Sequence, residues 1–138
     1  MSETTPATRP NLDQRRARHA WQAVQSLLSR ESTIMDDYAR EAKKLPVRIM
    51  TSGLGQAIAF IRAKAKSKRG LDRLHDDLTD WVLRQRPIKA AHPDSLVKSI
   101  VDGDSLFLRR VTDETLAYLN WLNRFAEAEG LPRGGVAD

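Results

Sequence analysis

The sequence contains no cysteine, few aromatic residues and no long apolar run. Without cysteine there is neither a disulfide framework nor thiolate chemistry. Aromatic residues make up only 6% of the chain, and runs of β-branched residues are scarce, which disfavours a β-sandwich or β-barrel. Because no apolar run reaches membrane-spanning length and the N-terminus lacks an apolar signal region, we expect a cytoplasmic protein without a membrane partner.

Familiar signatures of catalysis and cofactor binding are also missing. There is no H-E-x-x-H, G-x-S-x-G or P-loop motif. Gly53 and Gly55 lack the third glycine and the preceding strand of a dinucleotide site. His75 and Asp76 resemble the metal-binding dyad of phosphohydrolases, but a packed core histidine is favoured because further ligands are not evident. The sequence therefore predicts no catalytic residue, cofactor or metal, and a phosphohydrolase stays the alternative from another class.

Paired acids and tryptophans have ordinary structural interpretations. Asp36-Asp37, Asp76-Asp77 and Asp80 are typical of a solvated helix face, which is favoured over a metal-binding site. Trp21, Trp81 and Trp121 fall at helical positions among aliphatic neighbours, which favours core anchors. Trp121 lies off the main apolar stripe of its helix and is the best candidate for a base-stacking side chain.

Positive charge is concentrated in one short segment. The chain has 138 residues and a net charge of +5. Six basic residues and only Asp72 on the acidic side lie between Arg62 and Arg73, so this segment alone carries +5. Such a density of unopposed charge indicates a polyanionic partner, although a solvated helix face would show the same composition.

Helical periodicity covers most of the chain. Helix 1 should begin near Asn11 or Leu12, with Asn11 as the N-cap. Helix 2 should begin at Ser32 or Thr33 and end by Lys44, because a proline disfavours the helical conformation of the residue before it. Pro46 then opens the next helix.

Glycines and prolines divide the rest of the chain. We expect a break at Gly53-Leu54-Gly55 and another at Gly70, since glycine weakens a helix. The following helix should end before Pro87, and 87–93 should form a loop. A short helix over 94–101 precedes the longest one, which runs from Asp104 or Ser105 to about Glu129.

Spacings of three and four predict the side chains that these helices bury. The predicted buried residues are Ala17, Ala20, Trp21, Val24, Leu27, Leu28, Met35, Tyr38, Ala42, Met50, Leu54, Ala57, Ile58, Ile61, Ala65, Leu71, Leu74, His75, Leu78, Trp81, Val82, Gln85, Leu96, Val97, Ile100, Val101, Leu108, Val111, Thr115, Tyr118, Leu119, Leu122 and Phe125. The fold class is therefore all-α, a single compact domain of about six helices in bundle-like or orthogonal packing. It should span 11–129, with a disordered tail over 1–10 and a flexible tail over 130–138.

Three blocks of sequence resemble the Cmr5 family, the small all-helical subunits of the type III-B CRISPR effector (Cmr) complex. Their order and spacing fit that family over about residues 11–129. The blocks are Arg16-Ala17…Ala20-Trp21, then Lys44-Leu45-Pro46…Ile49-Met50…Gly53-Leu54-Gly55-Gln56…Phe60, and finally Leu116-Ala117-Tyr118-Leu119-Asn120-Trp121-Leu122…Arg124-Phe125-Ala126.

This resemblance implies a non-catalytic antiviral-defence subunit. Members of the family lie in several copies along the filament of crRNA and target RNA, stack on one another and on the backbone subunits, and help to hold the target strand. Cleavage belongs to the backbone subunits, and second-messenger synthesis to the large subunit. The resemblance also offers a reason for the wide apolar surface of the last helix, which would contact neighbouring subunits.

RNA contact is assigned to individual residues from charge alone, not from the family motif. The candidates are Arg16, Lys43, Lys44, Arg48, Arg62, Lys64, Lys66, Lys68, Arg69 and Arg73. The alternative is a purely structural packing subunit, whose basic surface would meet acidic protein neighbours and make no RNA contact.

Overall fold

The computed structural model describes residues 9–86 and 88–134, and across these residues it contains helices and no strand. The helices are α1 (Leu12–Leu27), α2 (Ser32–Ser52), α3 (Leu54–Ala65), α4 (Arg69–Thr79), α5 (Leu96–Asp102) and α6 (Ser105–Ala128). A π-helical segment, Asp80–Gln85, extends α4. The predicted all-α class with about six helices is confirmed.

The helices enclose one hydrophobic core. α1 packs along α6, and α2 contacts α6, α3 and α4, so it is central to the fold. The short α5 covers α3. Tyr38, Leu45, Tyr118 and Leu119 are fully buried where these helices meet. No helix in the described part of the chain is long and apolar enough to cross a membrane.

Side-chain caps begin two of the helices where the sequence predicts them. The Asn11 Oδ1 atom accepts a hydrogen bond from the Gln14 amide at 2.8 Å, and Gln14 Oε1 accepts one from the Asn11 amide at 2.8 Å. Asp104 Oδ1 accepts from the Phe107 amide at 2.8 Å and starts α6 in the same way. Each cap satisfies amides that have no partner inside the helix.

α2 continues through Pro46, so the prediction that it ends by Lys44 was wrong. Proline has no N–H, and the Ala42 carbonyl therefore loses its intrahelical donor. The side-chain amide of Asn123 in α6 donates to that carbonyl at 2.9 Å and replaces the missing bond. α2 ends instead at Ser52, and Gly53, with a φ of 87°, forms the predicted break before α3.

Gly70 does not break a helix but lies in the first turn of α4, which corrects the second predicted break. A β-carbon at Gly70 would lie 2.5 Å from the Ile34 carbonyl oxygen and 2.8 Å from the Tyr38 amide nitrogen. Glycine is therefore required because the backbones of α2 and α4 touch there. The interruption between α3 and α4 falls at Lys66–Lys68 instead.

Most of the predicted buried residues do lie in the core, with clear exceptions. Met50 is 76% exposed, Trp21 is 43% exposed, and Gln85, Val101 and Leu108 also reach the surface. The periodicity of these residues is helical, but the other helices of the described chain cover these positions only in part or not at all.

The chain after α6 folds back on α2 as far as Gly134. Leu131 is buried, and the amides of Arg133 and Gly134 donate to the Asp36 carboxylate at 2.7 and 3.0 Å. The flexible tail predicted over 130–138 thus has a docked first part, and 135–138 lie outside the described residues. So do 1–8 of the predicted N-terminal tail, and Pro87 of the predicted loop.

Candidate nucleic-acid interface

The basic residues at the end of α3 do not share one face. Arg62 and Lys66 are one turn apart and border a shallow depression with Val97 of α5. Lys64 lies two residues from each, and therefore about 200° around the helix axis from both. All three side chains are exposed. The dense charge run is thus divided between two sides of the helix.

On one of these sides the Phe60 ring contacts two cationic side chains. The Arg48 guanidinium carbon lies 4.0 Å from the centre of the Phe60 ring, and Lys64 Nζ lies 5.2 Å from it. Arg48 Nη2 is also 3.0 Å from a carboxylate oxygen of the buried Glu41. Arg48 is therefore held by protein groups, whereas the ammonium group of Lys64 stays accessible to a ligand such as phosphate.

The turn between α3 and α4 presents further charge. Lys68 and Arg69 are exposed there. Arg73 is engaged within the protein, because its Nη2 atom donates to Ser26 Oγ at 2.5 Å and its Nε atom lies 3.8 Å from an Asp77 carboxylate oxygen. Of these three residues, Lys68 and Arg69 are the ones whose positive charge is open to a partner.

Arg16, one of the predicted RNA contacts, is held by carboxylates of the protein and is not open to RNA. Its side chain is only 13% exposed and lies 2.5 Å from Glu114 and 2.7 Å from Asp13. Glu114 also accepts hydrogen bonds from Trp81 Nε1 at 2.8 Å and Arg86 Nε at 3.1 Å. Burial alone would raise the pKa of Glu114, but these donors outweigh burial and hold the pKa below its ordinary value.

Lys43 and Lys44 are exposed on the second half of α2. Lys43 lines a groove between α2 and α6 together with Pro46 and Leu116. One turn further along this side of α2, Val47 is 69% exposed, and Met50 follows it. The two lysines therefore border an exposed apolar face, which we call the α2 apolar face (Pro46, Val47 and Met50).

The His75–Asp76 pair has the surroundings of a packed histidine. His75 Nδ1 is 3.6 Å from Asp76 Oδ1, and the pKa of His75 is lowered chiefly by burial. Within 9–86 and 88–134, no three His, Asp or Glu side chains are grouped to hold a metal ion.

The tryptophans divide between core and surface. Trp81 is buried and stacks on Tyr118, with ring centres 6.0 Å apart. Trp21 and Trp121 both contact Phe125, with ring centres 5.2 and 5.4 Å from it. Because the Trp21 side chain is exposed despite this contact, the prediction that it is a core anchor was wrong.

Of the α1 arginines only Arg16 was predicted to contact RNA, because the charge pattern along the chain does not show which way each side chain points. Arg16 points to Glu114, whereas Arg15 and Arg18 line a cleft facing the π-helical segment. The available signal was the spacing of Arg15, Arg18, His19 and Gln22, which share one side of a helix.

Comparisons with known proteins agree with this architecture. A family model described as CRISPR-associated protein (Cas_Cmr5) matches residues 12–129. The chain is 34% identical over 92 residues to the protein named CRISPR system Cmr subunit Cmr5 of Thermus thermophilus, covering 67% of this chain and 74% of that protein.

A solved structure gives the same result. The crystal structure of a CRISPR-associated Cmr5 family protein from Thermus thermophilus superposes with a TM-score of 0.73 at 28% identity, covering 87% of this chain and 97% of that one. The family match, the similar sequence and the shared helical architecture establish that this chain belongs to the Cmr5 family of CRISPR-associated proteins.

Proposed function

We propose that this chain is a non-catalytic small subunit of a type III-B CRISPR effector, the Cmr complex, in the cytoplasm. It stacks in several copies along the crRNA–target RNA filament, beside the backbone and large subunits, and holds the target strand. Membership of the Cmr5 family is the observation that carries the proposal. The exposed cations around the end of α3 support the RNA contact.

The RNA contact is electrostatic and independent of base sequence. The exposed candidates are Lys43, Lys44, Arg62, Lys64, Lys66, Lys68 and Arg69. Such side chains neutralise phosphates, and pairing to the guide supplies the specificity. A single copy offers few contacts, so repetition along a filament provides the avidity.

Stacking needs protein surface besides charge. The α2 apolar face is one candidate for contact with a neighbouring subunit, since Val47 and Met50 have no cover within the described chain. Val101 and Leu106, near the junction of α5 and α6, are exposed as well. Exposed apolar side chains of this kind mark interaction sites when they cluster.

The RNA contact is tested in the reconstituted effector complex with a Lys64→Ala/Lys66→Ala/Lys68→Ala variant. A matched control, Lys89→Ala/Arg109→Ala/Arg110→Ala, removes equal charge elsewhere on the exposed surface. We expect weaker target binding for the first variant alone, with the salt slope reduced by roughly 0.7 for each phosphate that the variant no longer neutralises. Normal assembly with unchanged affinity and slope would refute the RNA contact.

The second candidate is a purely structural packing subunit, and the exposed α2 apolar face favours it. A Val47→Ser/Met50→Ser variant separates the two functions. If the subunit only packs, this variant is absent from the complex while the lysine variant leaves target affinity unchanged. If the chain holds RNA, the lysine variant weakens target binding even though its incorporation is normal.

A further inference from the structure

A cleft between α1 and the π-helical segment has the features of a ligand site. Its lining consists of Arg15, Arg18, His19, Gln22, Asp80, Trp81 and Gln85. Its volume of about 340 Å³ lies near the lower end of the range of ligand pockets, roughly 300–1,000 Å³. The volume therefore fits a small ligand or a single residue of a polymer.

The π-helical turn brings Gln85 to the cleft. The Arg86 amide donates to the Trp81 carbonyl at 2.8 Å, a bond between residues five positions apart. In an α-helix, Gln85 would point about 140° away from Asp80. Here Gln85 Nε2 lies 3.5 Å from Asp80 Oδ2. π-helical turns of this kind are frequent at functional sites.

The acidic member of the lining is already bound by protein groups. Asp80 Oδ2 lies 2.8 Å from His19 Nε2, and Asp80 Oδ1 accepts from Arg84 Nη1 at 3.3 Å. His19 is itself fixed, because its other ring nitrogen lies 2.7 Å from the Tyr118 hydroxyl. Asp80 thus has local counter-charge, which reduces its repulsion of an anion in the cleft.

Two guanidinium groups remain for a ligand. Arg18 has no ion-pair or hydrogen-bond partner among the described residues, and Arg15 makes one long contact, 3.5 Å to the Gln85 carbonyl. A larger depression of about 610 Å³ includes Arg16 and Arg86, whose guanidinium groups are bound to Glu114, and a single further arginine, Arg110, with Asp113 in the same lining. Positive charge is therefore available in the smaller cleft.

These groups match the two halves of a nucleotide. Guanidinium forks bind phosphate oxygens, and glutamine amides offer a donor and an acceptor to the edge of a base. We propose that this cleft binds one nucleoside phosphate, with the phosphate on Arg15 and Arg18 and the base edge on Gln22 and Gln85. A free mononucleotide and one nucleotide of an RNA strand share this chemistry. Binding of a nucleotide within a strand rests on the proposed function.

The test is an NMR titration of the ¹⁵N-labelled full chain with AMP, and separately with a short single-stranded RNA. We expect amides of 15–22 and 80–86, and the side-chain amides of Gln22 and Gln85, to shift. An Arg15→Ala/Arg18→Ala variant should bind at least about tenfold more weakly, since charge-assisted bonds are removed. The control Arg109→Ala/Arg124→Ala removes the same charge outside the cleft.

The two titrations identify the source of the ligand. Shifts with AMP would indicate a free nucleotide, and shifts with RNA alone would indicate a strand; either result supports the site if the cleft variant weakens it. No shift with either probe, or equal weakening in the cleft variant and its control, would overturn the inference. In that case an intact effect of the Lys64/Lys66/Lys68 variant on target binding would leave the proposed function standing.

Discussion

Asn123 should stabilise the protein mainly because Pro46 lies within α2. The Asn123 side chain donates to the Ala42 carbonyl, the group that Pro46 leaves without a donor. An Asn123→Ala variant removes this bond and leaves a partly buried carbonyl unsatisfied. We expect the free energy of unfolding to fall by about 1–2 kcal/mol, the usual effect of removing such a bond.

A Pro46→Ala change supplies the missing amide within the helix. Alanine is roughly 3 kcal/mol better than proline inside a helix, although proline also restricts the unfolded chain by about 0.4–1 kcal/mol. We therefore expect Pro46→Ala to stabilise the protein. In that background Asn123→Ala should have little effect, so the double-mutant cycle should show coupling of about 1 kcal/mol.

The measurement is urea unfolding of the wild type, the two single variants and the double variant, with the helix signal in circular dichroism as the probe. Asn120→Ala serves as the control, because Asn120 lies on the exposed surface one turn earlier in α6. An equal destabilisation by Asn123→Ala in both backgrounds would refute the reasoning, and so would a destabilisation no larger than that of Asn120→Ala.

Three further changes test other parts of the structure. Glu114→Gln keeps the shape of the side chain but removes the carboxylate that Arg16 and Arg86 share, so that Arg16 keeps only Asp13. Urea unfolding should show a destabilisation of about 3 kcal/mol; an unchanged stability would mean that solvent replaces the ion pairs. Gly70→Ala should destabilise the chain by about 2 kcal/mol through overpacking against Ile34, and a rise in Tm, as expected for an isolated helix, would contradict the close approach. The pKa of His75 lies below the ordinary 6.5, so the unfolded chain takes up the proton first and stability should fall as pH drops below about 6.5. Unfolding at several pH values should show a smaller fall in His75→Gln, and identical profiles would exclude His75 as the cause.

The sequence by itself determined every feature that depends on neighbours along the chain. Asn11 and Asp104 cap helices because the amides they satisfy lie three residues away. The position of Gly53, the absence of strand-forming runs and the helical periodicity likewise needed no tertiary information. The basic run at the end of α3 was visible in the same way, as was the resemblance to the Cmr5 family.

Tertiary structure decided the features whose partners are distant in the chain. The carbonyl that Pro46 leaves without a donor is satisfied by a side chain 81 residues away, and residue 70 of α4 must be glycine because α2 crosses there at backbone contact. The sequence also could not show which way each arginine side chain points, because its partners are distant in the chain. Arg16 is held by Glu114, 98 residues away, while its neighbour Arg15 lines a cleft that exists only where α1 faces the π-helical turn. The sequence shows where cations lie along the chain, but burial and neighbouring opposite charges determine which of them can reach a ligand.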